Sequence, residues 1–287
     1  MPELATRLGA LISAGAGRLR QAGLPEGRRE AIQIWGALGE TGPADVALEA
    51  TRAVDGDAAA AFDRAIARRC QGQPLSHVTG CSGFRHLSLI SDSRALIPRP
   101  ETEGLVDLLL QRVRSGRVVD VGTGSGCIAL SLAQEGEFDE VVAIDHSADA
   151  VVLAHLNCIA TGLRMTLVRG DLCKPLRPGS FNALISNPPY LTAGEYLSLD
   201  SSVRQWEPEA ALVSGTDGMA ATVRLLQDGP AVLQPGGWLA LEVDCSRAGT
   251  AAAQAIALGW RDVSIYSDLF GRERYLLARR SNTGDLG

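Results

Sequence analysis

The chain has no C-x-x-C pair, no histidines at metal-ligand spacing, no apolar run long enough to cross a membrane and no excess of positive charge. Each absence removes a class of protein. Its six cysteines, Cys70, Cys81, Cys127, Cys158, Cys173 and Cys245, are scattered, so they read as reduced structural thiols and not as a disulfide framework or metal ligands. No metal is expected. The formal charge of −6 provides no electrostatic footprint for generic nucleic-acid binding and favours a protein or small-molecule partner. Residues 1–20 mix small and apolar residues with Arg7, Arg18 and Arg20 but contain no continuous apolar core, so neither a signal peptide nor a membrane span is expected and a cytoplasmic location follows.

What is present fits an ordinary globular protein. With 287 residues, 46% of them hydrophobic and 21% charged, the chain can bury one large core and a smaller one. From Leu4 to about Arg69 the apolar residues recur at helical spacing, Leu8, Leu11, Ile12 and Leu19, then Ile32, Ile34, Trp35 and Leu38, then Phe62 and Ile66, which predicts a small helical bundle over 1–70 suited to docking. Residues 71–102 read as a hairpin linker with extended pieces at Leu87 to Ile90 and Arg94 to Ile97, punctuated by Gly72, Pro74, Gly80, Gly83, Pro98 and Pro100. Over 103–280 the apolar runs at Val118, Val141, Thr166, Ala183 and Trp238 alternate with helical stretches. That rhythm predicts an α/β domain built on a mainly parallel sheet covered on both faces. Val263 to Tyr266 and Arg274 to Ala278 predict an antiparallel hairpin at the sheet edge, and residues 281–287 a disordered tail.

Asp120-Val121-Gly122-Thr123-Gly124-Ser125-Gly126 follows the first of these strands and opens a helix. Glycines there let the backbone turn sharply and approach a ligand. The next strand ends in Asp145, where a carboxylate can accept both hydroxyls of a ribose. The G-x-G-x-G spacing differs from the dinucleotide G-x-G-x-x-G, and no Lys-Ser or Lys-Thr pair follows to hold a triphosphate. S-adenosylmethionine is therefore the preferred cofactor, with Gly122, Thr123, Gly124 and Gly126 as its cradle. Asp171, after the third strand, is placed either to accept from an adenine amine or to cap a helix. Asp120 is placed to meet the cofactor's ammonium group or to brace the loop, with the contact favoured.

Asn187-Pro188-Pro189-Tyr190 follows the apolar run Phe181 to Ser186. Two prolines fix φ and remove two N–H donors, so the turn presents acceptors with no competing donor beside them. Asn187 adds a side-chain carbonyl and Tyr190 a flat face. A planar –NH2 group is the natural guest, which makes Asn187, Pro188 and Tyr190 the candidate catalytic residues and all four the candidate substrate site.

Ile97-Pro98-Arg99-Pro100-Glu101-Thr102-Glu103, the 120–126 loop and the 187–190 tetrapeptide, in this order and spacing, together resemble the HemK/PrmC glutamine methyltransferases. The likeness runs from about Gln73 to Arg274 and includes Glu207 to Leu212 and Asp217-Gly218. It implies a class I S-adenosylmethionine-dependent methyltransferase, Rossmann-like with a seven-stranded sheet, behind a small N-terminal docking domain. It also implies a substrate, the glutamine of the Gly-Gly-Gln motif in peptide chain release factors; nothing in the sequence demands more than a monomer. Arg99, Glu101 and Thr102, and Asn187 as well, are implied to lie beside the cofactor, Glu101 as the foremost polar contact. His77, Arg85-His86 and Asp244 to Ser246 depart from the family's usual pattern. The tetrapeptide alone also suits a ribosomal-protein glutamine methyltransferase or an adenine methyltransferase acting on a flipped base, and a non-enzymatic cofactor-binding scaffold is the reading from another class.

Overall fold

The computed structural model describes residues 7–39 and 43–282, which divide into two compact units. One holds residues 7–81 with 200–206, the other 82–199 with 207–282. The first unit is helical: α1 (Leu8–Gln21), α2 (Gly27–Gly39), α3 (Pro43–Leu48), α4 (Gly56–Cys70) and α5 (Leu75–Thr79). Leu8, Ile12, Ala16 and Leu19 put one face of α1 against Ala31, Ile34 and Trp35 of α2 and Phe62, Ala65 and Ile66 of α4, as their helical spacing requires. Asp55 starts α4 by accepting from the Ala58 N–H, and the Trp35 and Phe62 rings meet edge to face at 5.8 Å.

The second unit begins with a hairpin of β1 (Cys81–Phe84) and β2 (Leu87–Ile90). Here the expectation for the linker needs correction. Leu87 to Ile90 is a strand, but its partner is Cys81–Phe84, and Arg94 to Ile97 is irregular. The apolar side chains misled the reading: Ala95 is buried against Ala150 and Leu153, while the Ile97 N–H donates to the Glu207 carboxylate at 3.0 Å and not to a neighbouring strand. The hairpin turns at Arg85, whose φ of 51° is unfavourable for a non-glycine residue. Its guanidinium is tied down by Glu135, Asp107 and the Glu103 carbonyl.

Thereafter come α6 (Pro100–Leu110), β3 (Ser115–Val121), α7 (Cys127–Glu135), β4 (Glu137–Asp145), α8 (Ala148–Thr161), β5 (Thr166–Arg169) and β6 (Phe181–Ser186). Then follow α9 (Ala193–Leu197), α10 (Ser201–Trp206, within the first unit), α11 (Ala220–Val232), β7 (Leu233–Glu242), α12 (Ala248–Ala257), β8 (Arg261–Ser267) and β9 (Glu273–Arg279). The seven-stranded sheet has the order β5-β4-β3-β6-β7-β9-β8. Its first five strands run parallel, and β9 is antiparallel to both β7 and β8.

Consecutive residues serve opposite faces. Val119, Val121, Ile144, Leu184 and Leu241 pack with Leu225 and Leu226 of α11 and Ala251 of α12, whereas Val118, Ala143, Ala183, Ile185 and Ala240 pack with Leu105 and Leu109 of α6 and Ile128 and Leu130 of α7. Burial on both faces is why these strands are apolar runs and not alternating patterns. The chain leaves β3 for β4 on one side and returns to β6 on the other, so a crevice opens at the carboxyl ends of these strands. The tail expected at 281–287 lies outside the described residues from position 283 onward.

Candidate active site

A cavity of about 430 Å³ occupies that crevice, within the range of small-molecule sites. It gathers Gly122, Thr123 and Gly124 after β3, Asp145 at the end of β4, Asp171 after β5, Asn187 and Pro189 after β6, and Arg99 and Thr102 at the start of α6. Pro208, Ala210, Ala211 and Val213 to Gly215 complete the wall. Asp120, Gly126, Glu101, Pro188 and Tyr190 do not line it.

The glycine loop needs its glycines. Gly122, Gly124 and Gly126 have φ of 75°, 55° and 84°, the left-handed region that strains any residue with a Cβ. Asp145 braces the loop while facing the cavity: Oδ2 accepts the Gly124 N–H at 2.9 Å and Oδ1 the Ser147 N–H at 2.8 Å. Each oxygen keeps a lone pair, so the carboxylate still has capacity for a vicinal diol. A glycine cradle with no side chains beside an acceptor for a diol suits a nucleoside ligand.

Asp120 braces the loop. It is fully buried, and Oδ2 accepts from the Thr123 hydroxyl at 2.6 Å and the Ala129 N–H at 3.2 Å. Burial pushes its carboxyl up to about 7 against those two hydrogen bonds, with the charge of Asp145 adding to the rise. Asp120 does not line the cavity, while its Oδ1 is buried without a hydrogen-bond partner. Asp171 does reach the cavity, but no helix begins there. Arg224 grips both of its oxygens at 3.0 and 2.9 Å, and Lys174 adds an ion pair at 2.7 Å. These two cations, Arg224 first, hold the carboxyl at about 2.

At the other end of the cavity Asn187 Nδ2 donates to Thr102 Oγ1 at 3.0 Å, and the Thr102 hydroxyl donates to Glu242 Oε2 at 2.7 Å. Thr102 and Glu242 are 2% and 1% exposed. Glu242 Oε1 faces the Tyr190 hydroxyl at 3.4 Å and Arg274 Nη1 at 3.8 Å, and Arg274 is held from behind by Asp268 at 3.0 Å. Burial raises the Glu242 carboxyl above its usual range, opposed by Thr102 and Arg274. Burial and the nearby Glu242 likewise raise the Tyr190 phenol. Glu101 stands apart from this group; its carbonyl accepts from the Tyr275 hydroxyl.

Two residues escaped sequence reasoning as site components. Glu207, 5% exposed, holds the wall segment by accepting from the Ile97 N–H and from Arg99 Nη2 at 2.6 Å. Glu242 is a lone acid ending the apolar run from Trp238, and a charge in such a place is costly unless paired. That was the available signal.

The sheet order, the glycine cradle and the asparagine turn define a class I methyltransferase. The fold agrees with a solved methyltransferase from Pyrococcus furiosus, at a TM-score of 0.52 and 21% identity over 67% of this chain and 88% of that one. Family models place a PrmC N-terminal domain at residues 10–80 and a methyltransferase small domain at 100–201. A release factor glutamine methyltransferase of Deinococcus radiodurans is 39% identical over 94% of this chain and 98% of its own length, and one from Rhodospirillum rubrum is 36% identical over 99% and 88%. The chain belongs to the release factor glutamine methyltransferase family, and S-adenosylmethionine is its cofactor.

Proposed function

We propose that this enzyme methylates the side-chain amide nitrogen, N5, of the glutamine in the Gly-Gly-Gln motif of peptide chain release factors. The observation that carries the reading is that Asn187 opens on the same cavity as Asp145 and the glycine loop, so an amide acceptor and a nucleoside clamp share one space. S-adenosylmethionine supplies an electrophilic sulfonium methyl group when bound. Asp145 and Gly122 to Gly124 would hold its nucleoside, in a cavity that Asp171, Arg224, Arg99 and Thr102 also line.

A carboxamide nitrogen is a feeble nucleophile, and no group lining the cavity is basic enough to deprotonate it. Positioning must supply the rate. Asn187 Oδ1 and the Pro188 carbonyl would accept the two amide hydrogens and orient the nitrogen toward the cavity, while Tyr190 would pack against the amide plane. The bound cofactor would give up its methyl group and leave as a neutral thioether, and the surplus proton would pass from the methylated nitrogen to solvent. Alignment and aimed dipoles of this sort are worth on the order of 10² to 10⁴ in rate.

The helical unit that ends at Cys81 docks the protein substrate, and the unit that begins at Ser82 performs the transfer. The enzyme acts as a cytoplasmic monomer, without sequence-specific nucleic-acid contact. No helix among the described residues is long and apolar enough to cross a membrane, and the charge of −6 disfavours a polyanionic substrate. The test is incubation with labelled S-adenosylmethionine and, separately, release factors, a ribosomal-protein fraction and DNA, with the labelled residue mapped by mass spectrometry. Label on the Gly-Gly-Gln glutamine is expected. Label confined to ribosomal protein or to DNA overturns the substrate assignment.

A further inference from the structure

We propose that Thr102 and Glu242 form a positioning relay that sets which way the Asn187 amide faces. The proposal rests on the reading that Asn187 Oδ1 receives the substrate amide. An asparagine side chain has nearly the same shape when rotated by half a turn, yet only one of the two orientations presents an acceptor. Something must choose between them.

The choice follows from proton counting. A threonine hydroxyl has one hydrogen, and the Thr102 hydroxyl donates it to Glu242 Oε2 at 2.7 Å. Toward Asn187 it therefore offers only lone pairs, and it takes Nδ2 at 3.0 Å. With Nδ2 held there, Oδ1 is the amide atom left for the substrate. The direction of the whole chain is set by Glu242, which as a carboxylate can only accept. Its other oxygen is kept in an accepting role by the donor-only guanidinium of Arg274 at 3.8 Å, with the Tyr190 hydroxyl at 3.4 Å beside it. Thr102 and Glu242 are both buried, so their hydrogen bond is shielded from bulk solvent.

The geometry also says what would reverse it. In Glu242→Gln the amide oxygen turns to Arg274 and Tyr190, both donors, and the amide nitrogen turns to Thr102. The Thr102 hydroxyl then accepts from position 242 and donates to Asn187, which flips Nδ2 toward the substrate. An acceptor becomes a donor with almost no change of shape.

The experiment compares Glu242→Gln, Thr102→Val and Thr102→Ser, each alone and in an Asn187→Ala background, by kcat on a release factor, by cofactor affinity and by thermal melting. Glu242→Gln and Thr102→Val are expected to lose about tenfold or more in kcat, and Glu242→Gln, which lies off the cavity wall, with cofactor Kd changed less than about twofold, as a lost orientation does. Thr102→Ser, which keeps the hydroxyl, is expected to restore most of the rate. With Asn187 already replaced by Ala, neither Glu242→Gln nor Thr102→Val should lower kcat further, because the relay acts only through Asn187. Wild-type kcat in Glu242→Gln and Thr102→Val while Asn187→Ala is impaired overturns the relay but leaves the Asn187 role standing. Additive losses, or losses that follow melting temperature or cofactor Kd, also overturn it. An unimpaired Asn187→Ala overturns the underlying role itself.

Discussion

Arg99 and Glu207 are joined at 2.6 Å, and the same carboxylate holds the Ile97 N–H. One buried acid thus pins an irregular stretch of cavity wall that has no strand partner. Replacing Glu207 by Ala should free the wall from Ala95 to Arg99. Cofactor affinity is expected to fall about tenfold and unfolding stability by about 1–3 kcal/mol, the cost of leaving a buried donor unpaired. Calorimetric titration with S-adenosylhomocysteine and denaturant melts check both. Unchanged cofactor affinity would show that the wall holds its place without Glu207.

Asn187→Ala separates binding from chemistry. Asp145 and the glycine loop are untouched by it, so the cofactor should bind nearly as before while methyl transfer to intact release factor falls by about 10²-fold. Single-turnover rates with saturating cofactor measure the second effect directly.

The carboxyl of Asp120, raised to about 7 by burial, predicts a pH dependence of stability. Because the folded state keeps this proton after the unfolded chain has lost it, the contribution of Asp120 is full below the ordinary aspartate range and fades as pH rises toward and past 7. Asp120→Asn removes that titration. The variant should gain on the wild type as pH rises from about 5 to about 8, and a constant difference in denaturant midpoints over that interval would contradict it.

Gly124→Ala and Gly126→Ala should both lose about 1–2 kcal/mol of stability from their positive φ. They should differ in ligand binding. Gly124 lines the cavity and Gly126 does not; a Cβ on Gly126 instead meets Met165 Cε at 3.0 Å. Weaker cofactor binding is expected chiefly for Gly124→Ala, measured beside melting temperature.

Much of the cavity was legible in the sequence because its parts are local. Gly122, Asp145, Asp171 and Asn187 each follow directly from the end of an apolar strand, and parallel strands bring such ends together. The Thr102–Glu242–Arg274 cluster was not legible as a unit, since it joins α6, β7 and β9 across gaps that no spacing rule spans. Arg94 to Ile97 misled for a related reason. Burial by Ala150 and Leu153 and a hydrogen bond from the Ile97 N–H to Glu207 replace the ladder that the apolar pattern implied.

The position of β9 has a consequence for biosynthesis. It is sequence-late yet lies inside the sheet, paired with β7 from Trp238–Arg279 to Glu242–Tyr275, and it carries Arg274 to Glu242. A ribosome makes β9 after every other strand among the described residues, so until then β7 lacks its antiparallel partner and Glu242 lacks its cation. The site therefore lacks that cation until β9 has been made.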